Sequence, residues 1–159
     1  MDERVGTKKD PLQKAKGIIM HPDGILLMHR IRKDAQGGEI QYYVFPGGGR
    51  EIGETVEQCL QREIFEEAGV HVKVGREFAR LKFEVKEEYY ILCEYQSGVV
   101  GSGEGPEYSE EWIKQRGLYI AEVVPLFKVP QIDLKPYAIK RKLVEHLVKE
   151  GKIDAAGKP

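Results

Sequence analysis

The reading of this chain turns on Gly48-Gly49-Arg50-Glu51-Ile52-Gly53-Glu54 and on Arg62-Glu63-Ile64-Phe65-Glu66-Glu67-Ala68-Gly69-Val70, which follows after seven residues. Thr55-Val56-Glu57-Gln58 between them has the form of a capping box, so a helix is expected to start there. Gly69 with apolar Val70 behind it reads as its end, since glycine tolerates the left-handed conformation. Leu60, Ile64 and Ala68 fall at i, i+4 and i+8 and make a stripe that can bury against a sheet. At about 100° per residue, Glu67 lies roughly 40° from Glu63 and Glu66 about 60° to the other side. Three carboxylates therefore share one sector beside the buried stripe. Charges about 5 Å apart in surroundings of effective dielectric about 20 repel by roughly 3 kcal/mol. An i, i+4 pair from Arg62 to Glu66 returns only about 0.3–0.5 kcal/mol. A solvated, charged helix face is the usual account of such a helix. The glycine-rich loop ahead of it favours a hard divalent cation, held by oxygen ligands against a phosphate chain.

The spacing Gly-x5-Glu-x7-Arg-Glu-apolar-x-Glu-Glu-x-Gly-apolar resembles the Nudix box, and every defined position is filled. The resemblance is specific over Gly48 to Val70 and only architectural elsewhere. It implies hydrolysis of a nucleoside diphosphate linked to another moiety, by water attack at phosphorus with Mg2+, or Mn2+ in its place. By position it implies Glu63, Glu66 and Glu67 as metal-binding carboxylates, the Gly48 carbonyl as a further ligand and Arg62 as the residue that orients the glutamates. It also implies an α/β fold, a curved mixed β-sheet sandwiched between helices. The rival reading is a Nudix module that senses a nucleotide without turning it over; degraded box glutamates would mark it, and here they are intact.

At 159 residues, 41% hydrophobic and 32% charged, the chain has the makings of one soluble domain with a buried core. Its net charge of −1 offers no basic footprint for long nucleic acid. The expected partner is a small nucleotide-type substrate, with the chain a monomer or homodimer. Cys59 and Cys93 make no disulfide framework and read as core residues of a reducing cytoplasm. No stretch is long and apolar enough for a membrane span, and the N-terminus lacks the apolar core of a signal peptide. Residues 1–11 are read as a loose arm, 12–153 as the domain and 154–159 as a tail.

Along the chain, 16–20 and 25–31 read as strands around the turn His21-Pro22-Asp23-Gly24, and 42–45 as a strand feeding the glycines. Strands are expected over 72–85 and 89–95, joined at Lys86-Glu87-Glu88, and again over 118–124. Residues 136–150 read as a helix with Ile139, Leu143 and Leu147 on one face.

Outside the box, Arg30 and Arg32 lie two apart on a strand and face the same way. They are either donors to a substrate phosphate or part of a solvated sheet face. His21, His29, His71 and His146 have no ligand spacing. Nudix enzymes often add a carboxylate, as ligand or general base, from a loop beyond the box. Glu107, stiffened by Pro106 in a Gly-rich segment, is the first candidate, ahead of Glu104 and Glu110; an acidic surface loop is the alternative. Gly98, Gly101, Gly103, Gly105 and Pro106 suggest that the segment 98–111 is able to move over a site. Catalytic roles thus fall on Glu63, Glu66, Arg62 and Glu107. Tyr89 and Tyr90 lie near, but not at, the place where dinucleoside polyphosphate hydrolases tend to carry tyrosine, and the leaving group stays open.

Overall fold

The structure, a computed structural model, describes residues 9–155. Eight strands and three α-helices follow in the order β1 (Lys9–His21), β2 (Gly24–Lys33), β3 (Glu39–Val44), β4 (Gly47–Glu51), α1 (Val56–Ala68), β5 (Val70–Phe83), β6 (Lys86–Gly98), α2 (Glu110–Arg116), β7 (Leu118–Val124), β8 (Leu134–Lys135) and α3 (Tyr137–Lys149). One mixed sheet runs β5-β6-β1-β2-β3-β8, with β4 added on β1 and β7 on β2. β1 runs parallel to β6 and antiparallel to β2. β1 and β2 pair only around their turn, from Ile19↔Leu26 to His21↔Gly24. Further along, β1 is paired by β4 and β6, and β2 by β3 and β7. The sheet therefore has two arms, and the box segment enters where they part.

Alternation along the central strands places a core on each side. Ile18, Ile25 and Leu27 pack with Ile139, Leu143 and Leu147 of α3. Ile19 and Leu26 pack with Leu60, Ile64 and Ala68 of α1. All but Leu147, at 1%, are fully buried, and each large aliphatic side chain so buried contributes about 1.5–3 kcal/mol. The α/β sandwich expected from the sequence is the fold observed. Cys59 and Cys93 are buried free thiols of the α1-side core. Among the described residues no helix is long and apolar enough to cross a membrane.

Four expectations are corrected. The start of the expected arm lies outside the described residues, but Lys9–Pro11 open strand β1. The glycine run is not a loop: Gly47–Glu51 is a strand, with Gly47 opposite Lys16 and Gly48 opposite Ala15. The β5–β6 turn sits at Glu84-Val85, with Glu84 at φ 49°, not at Lys86–Glu88. The fourth concerns the 98–111 segment, which is fastened to α1: Gly101 N–H donates to Ala68 O (3.0 Å), Gly105 N–H to Glu66 O (2.9 Å) and the Tyr108 hydroxyl to Glu67 O. These donors satisfy last-turn carbonyls that a helix end leaves open. A Cβ at Gly103 would collide with the Glu66 and Glu67 carbonyls, so only glycine lets the segment lie so close.

Candidate active site

Helix α1 is set by local chemistry at both ends. Thr55 Oγ1 accepts from Gln58 N–H at 3.0 Å while Gln58 Oε1 accepts from Thr55 N–H at 2.9 Å, a complete capping box. Gly69 closes it at φ 78°, its N–H donating to Phe65 O. The helix is thereby held in the rotation that turns Glu63 and Glu67 inward; they are only 5% and 8% exposed.

Each carboxylate has a distinct surrounding. Glu63 Oε1 accepts from Arg62 Nη1 and from Lys9 Nζ, both at 3.0 Å. Its carboxyl lies so near β4 that a Cβ at Gly48 would stand 2.8 Å from it, which explains a glycine at that position. Glu67 Oε2 accepts from Gly47 N–H at 3.0 Å. Burial, and then the charges of Glu63 and Glu107, push its carboxyl up to about 8 against the pull of Lys16 and the Gly47 N–H. Glu66 Oε2 lies 3.5 Å from Arg62 Nη1.

Arg62 organises this cluster, though not chiefly through its i, i+4 neighbour as the sequence suggests. Its main partner is Glu54, by a fork of Nε to Oε2 at 2.7 Å and Nη2 to Oε1 at 3.0 Å. Nη2 also donates to Gly49 O at 3.2 Å. This fork holds Glu54 below the usual carboxylate range and ties β4 to the helix. An ammonium cannot make it. Arg62→Lys is expected to lower kcat by about 10- to 100-fold, the usual cost of losing a group that orients ligands. An unchanged kcat would class Arg62 with ordinary surface charges.

Glu107 joins the box glutamates from the other side. It lies in a 3-10 turn, Pro106–Tyr108, that leads into α2, and is 8% exposed, whereas Glu104 and Glu110 are less buried. Burial first, then the charges of Glu63 and Glu66, hold it above the usual carboxylate range. Its Oε1 is buried without a hydrogen-bond partner. Glu107 thus lies within electrostatic reach of Glu63, Glu66 and Glu67, with Arg62, Lys9 and Lys16 the cations near them. The sequence reading places Lys9 in the loose arm, and no local signal distinguishes it; strand pairing brings it to Glu63.

This donor set fits a hard divalent cation: carboxylate oxygens in excess of local positive charge, one of them orphaned, and the Gly48 carbonyl, approached by the Cys59 thiol at 3.6 Å. Among the described residues no three acidic, cysteine or histidine side chains already converge as an assembled ligand cluster. Lys9, Arg62 and Gly47 N–H hold the carboxylates where a cation would otherwise draw them.

Arg30 does not lie on a solvated sheet face. It is buried, not solvated, with Nη1 donating to the Tyr119 hydroxyl at 3.2 Å, Nη2 to Arg116 O, and its guanidinium 4.1 Å from the Tyr119 ring centroid and 5.6 Å from that of Trp112. Its Nε has no hydrogen-bond partner. Arg32 is exposed, with Nη1 3.3 Å from the Tyr42 hydroxyl. Trp112 and Tyr119 come from α2 and β7, far from the box in sequence, and spacing alone does not reveal them. His29 is structural: Nδ1 lies 2.8 Å from Glu122 and its ring stacks on Tyr43. A cavity of about 540 Å3 lies away from the carboxylates, between α3 and the β5–β6 pair, over Met20, Leu92, Leu143 and Leu147.

A family model described as NUDIX domain matches residues 11–141. An 8-oxo-dGTP diphosphatase of Haemophilus influenzae is 31% identical over 124 residues, 74% of this chain and 86% of that one. An NAD-capped RNA hydrolase, NudC, of the same species is 34% identical over 90 residues, 55% of this chain; the match spans 33% of that protein's length. Among solved structures, a NUDIX hydrolase from Nitrosomonas europaea has a TM-score of 0.66 at 18% identity, covering 96% of this chain and 76% of that one. A MutT structure, from a study of the Aliivibrio salmonicida and Vibrio cholerae proteins, has a TM-score of 0.60 at 18% identity, over 85% and 97%. At these identities the structural likeness speaks for the fold.

Proposed function

We propose, from the premise that this chain belongs to the Nudix family, that it is a metal-dependent pyrophosphohydrolase cleaving a nucleoside diphosphate linked to another moiety. The observation that carries the proposal is the buried Glu107, one oxygen of it unpartnered, within electrostatic reach of the box glutamates. Structural carboxylates are normally paired when buried, because an unpaired buried charge costs several kcal/mol. A cluster left short of positive charge is suited to a cationic ligand and its phosphate substrate.

Glu63, Glu66, Glu67 and the Gly48 carbonyl would hold the cation. Magnesium, with manganese as its substitute, supplies Lewis-acid polarisation of phosphoryl oxygens and a lowered pKa for water. Arg62 keeps Glu63 and Glu66 aimed through its links to Glu54 and Gly49. Glu107 is the general base: its carboxylate takes a proton as water oxygen bonds to phosphorus, while the bridging P–O bond breaks and its electrons leave with the departing phosphate. The raised Glu107 pKa makes it a stronger base than an exposed carboxylate.

The names of the relatives span a nucleoside triphosphate and a nucleotide-capped RNA, so they mark nucleotide chemistry and leave the leaving group open. The test is a panel of nucleoside triphosphates, nucleotide sugars, ADP-ribose and dinucleoside polyphosphates with Mg2+, read by product chromatography. Cleavage at a pyrophosphate bridge of at least one compound is expected. Absence of turnover across the panel, with tight binding of one compound, would put the chain among non-catalytic nucleotide sensors.

A further inference from the structure

A hollow of about 250 Å3 opens between the two arms of the sheet. Lys14 and Lys16 line it from β1, Glu88 and Tyr90 from β6, Phe45 from just beyond β3, and Lys135 from β8. Among the described residues none of these three lysines takes part in an ion pair. The hollow's carboxylate, Glu88, is engaged by the Tyr90 hydroxyl at 2.8 Å. Three lysines line one small cleft, and in a chain of net charge −1 they are not part of a general basic surface.

The hollow is joined to the carboxylate site. Lys16 Nζ lies 3.4 Å from the Gly47 carbonyl, and the N–H of that same residue holds Glu67. Lys135 Nζ sits 4.5 Å from the centroid of the Tyr42 ring, whose hydroxyl accepts from Arg32. The hollow, whose Phe45 and Tyr90 belong to the α3-side core, is thus linked to Glu67 through Gly47. It is smaller than sites for complete small molecules, which run about 300–1,000 Å3. One or two phosphate groups fit its size and sign.

We infer that Lys14, Lys16 and Lys135 form a subsite for the distal phosphates of the substrate, so that this chain selects a polyphosphate of three or more phosphate groups over a two-phosphate nucleotide sugar. This rests on the hydrolase reading above, but its own observation is the lysine hollow. The glutamates reject a bare anion and the lysines attract it, so a metal-free experiment isolates the subsite.

The experiment is titration calorimetry of inorganic tripolyphosphate into the protein in EDTA, with wild type, Lys14→Gln and Lys135→Gln. Wild type is expected to bind, more weakly as salt rises, and each variant to bind at least about tenfold more weakly, since each loses one charge-assisted contact. In the Mg2+ assay, the kcat/KM preference for a triphosphate over a nucleotide sugar should shrink in Lys135→Gln. No binding by wild type, or equal binding by both variants, overturns the inference. Turnover of a panel compound with lysine-independent binding would count against the subsite alone. Lysine-dependent binding with no turnover at all would keep the anion site and count against the hydrolase.

Discussion

Glu67→Gln is expected to lower turnover by at least about 100-fold while raising the stability of the metal-free protein at neutral pH. Charge stabilisation by a bound metal is worth several kcal/mol in the transition state, and each 1.4 kcal/mol is about tenfold in rate. The amide keeps the shape and removes the ligand charge. The stability effect follows from linkage. The Glu67 carboxyl titrates near 8 in the folded chain, against an ordinary 4.5. Between those values the folded state binds more protons than the unfolded state, so stability falls as pH rises through that window and levels off above about pH 8. Below the ordinary value the penalty vanishes. The variant, with no proton to lose at this position, has no such slope. Thermal midpoints in EDTA should therefore favour the variant at pH 8 and converge with wild type near pH 4. A variant with wild-type kcat under saturating Mg2+ would remove Glu67 from the ligand set. A midpoint below wild type at pH 8 would contradict its strained ionisation.

Glu107→Gln should lower kcat at least about tenfold, the low side of what general-base removal costs, with no loss of metal-free stability. Its buried Oε1 has no partner, so replacing the carboxylate discards no hydrogen bond at that atom and removes a charge from beside Glu63 and Glu66. Because the base acts deprotonated, wild-type kcat should rise with pH through an acid limb set above the usual carboxylate range. The variant should lose that limb. Wild-type rates here, with Glu104→Gln or Glu110→Gln impaired instead, would move the role along the segment. Wild-type rates in all three would return the base to the box glutamates.

The parts of the site that the sequence discloses are those whose chemistry is local. Thr55, Gln58 and Gly69 announce both ends of α1 within a few residues, and a helix so bounded fixes which way Glu63, Glu66 and Glu67 point. Glu107 is within reach because Pro106 and the surrounding glycines single it out, although its burial is not. What stays hidden depends on strand pairing. Glycine carries little strand propensity, so nothing local marks Gly47–Glu51 as β4; its partner is the β1 backbone. That same pairing carries Lys9 to Glu63, which no reading of residues 1–11 foresees. Helical spacing points Arg62 to Glu66, yet Glu54, ahead of the helix, offers the better fork. Arg30 reads as a surface cation because Tyr119, Trp112 and Arg116, which enclose it, arrive from a distant part of the chain.

The most direct measurement is turnover of the panel substrate in excess EDTA, followed by readdition of Mg2+. Among the described residues the carboxylate cluster has Arg62, Lys9 and Lys16 as its nearby cations, too little positive charge to stabilise a pyrophosphate transition state alone. Turnover is predicted to stop in EDTA and to return with Mg2+, or with Mn2+ in its place. Turnover that persists undiminished in excess EDTA would contradict the account.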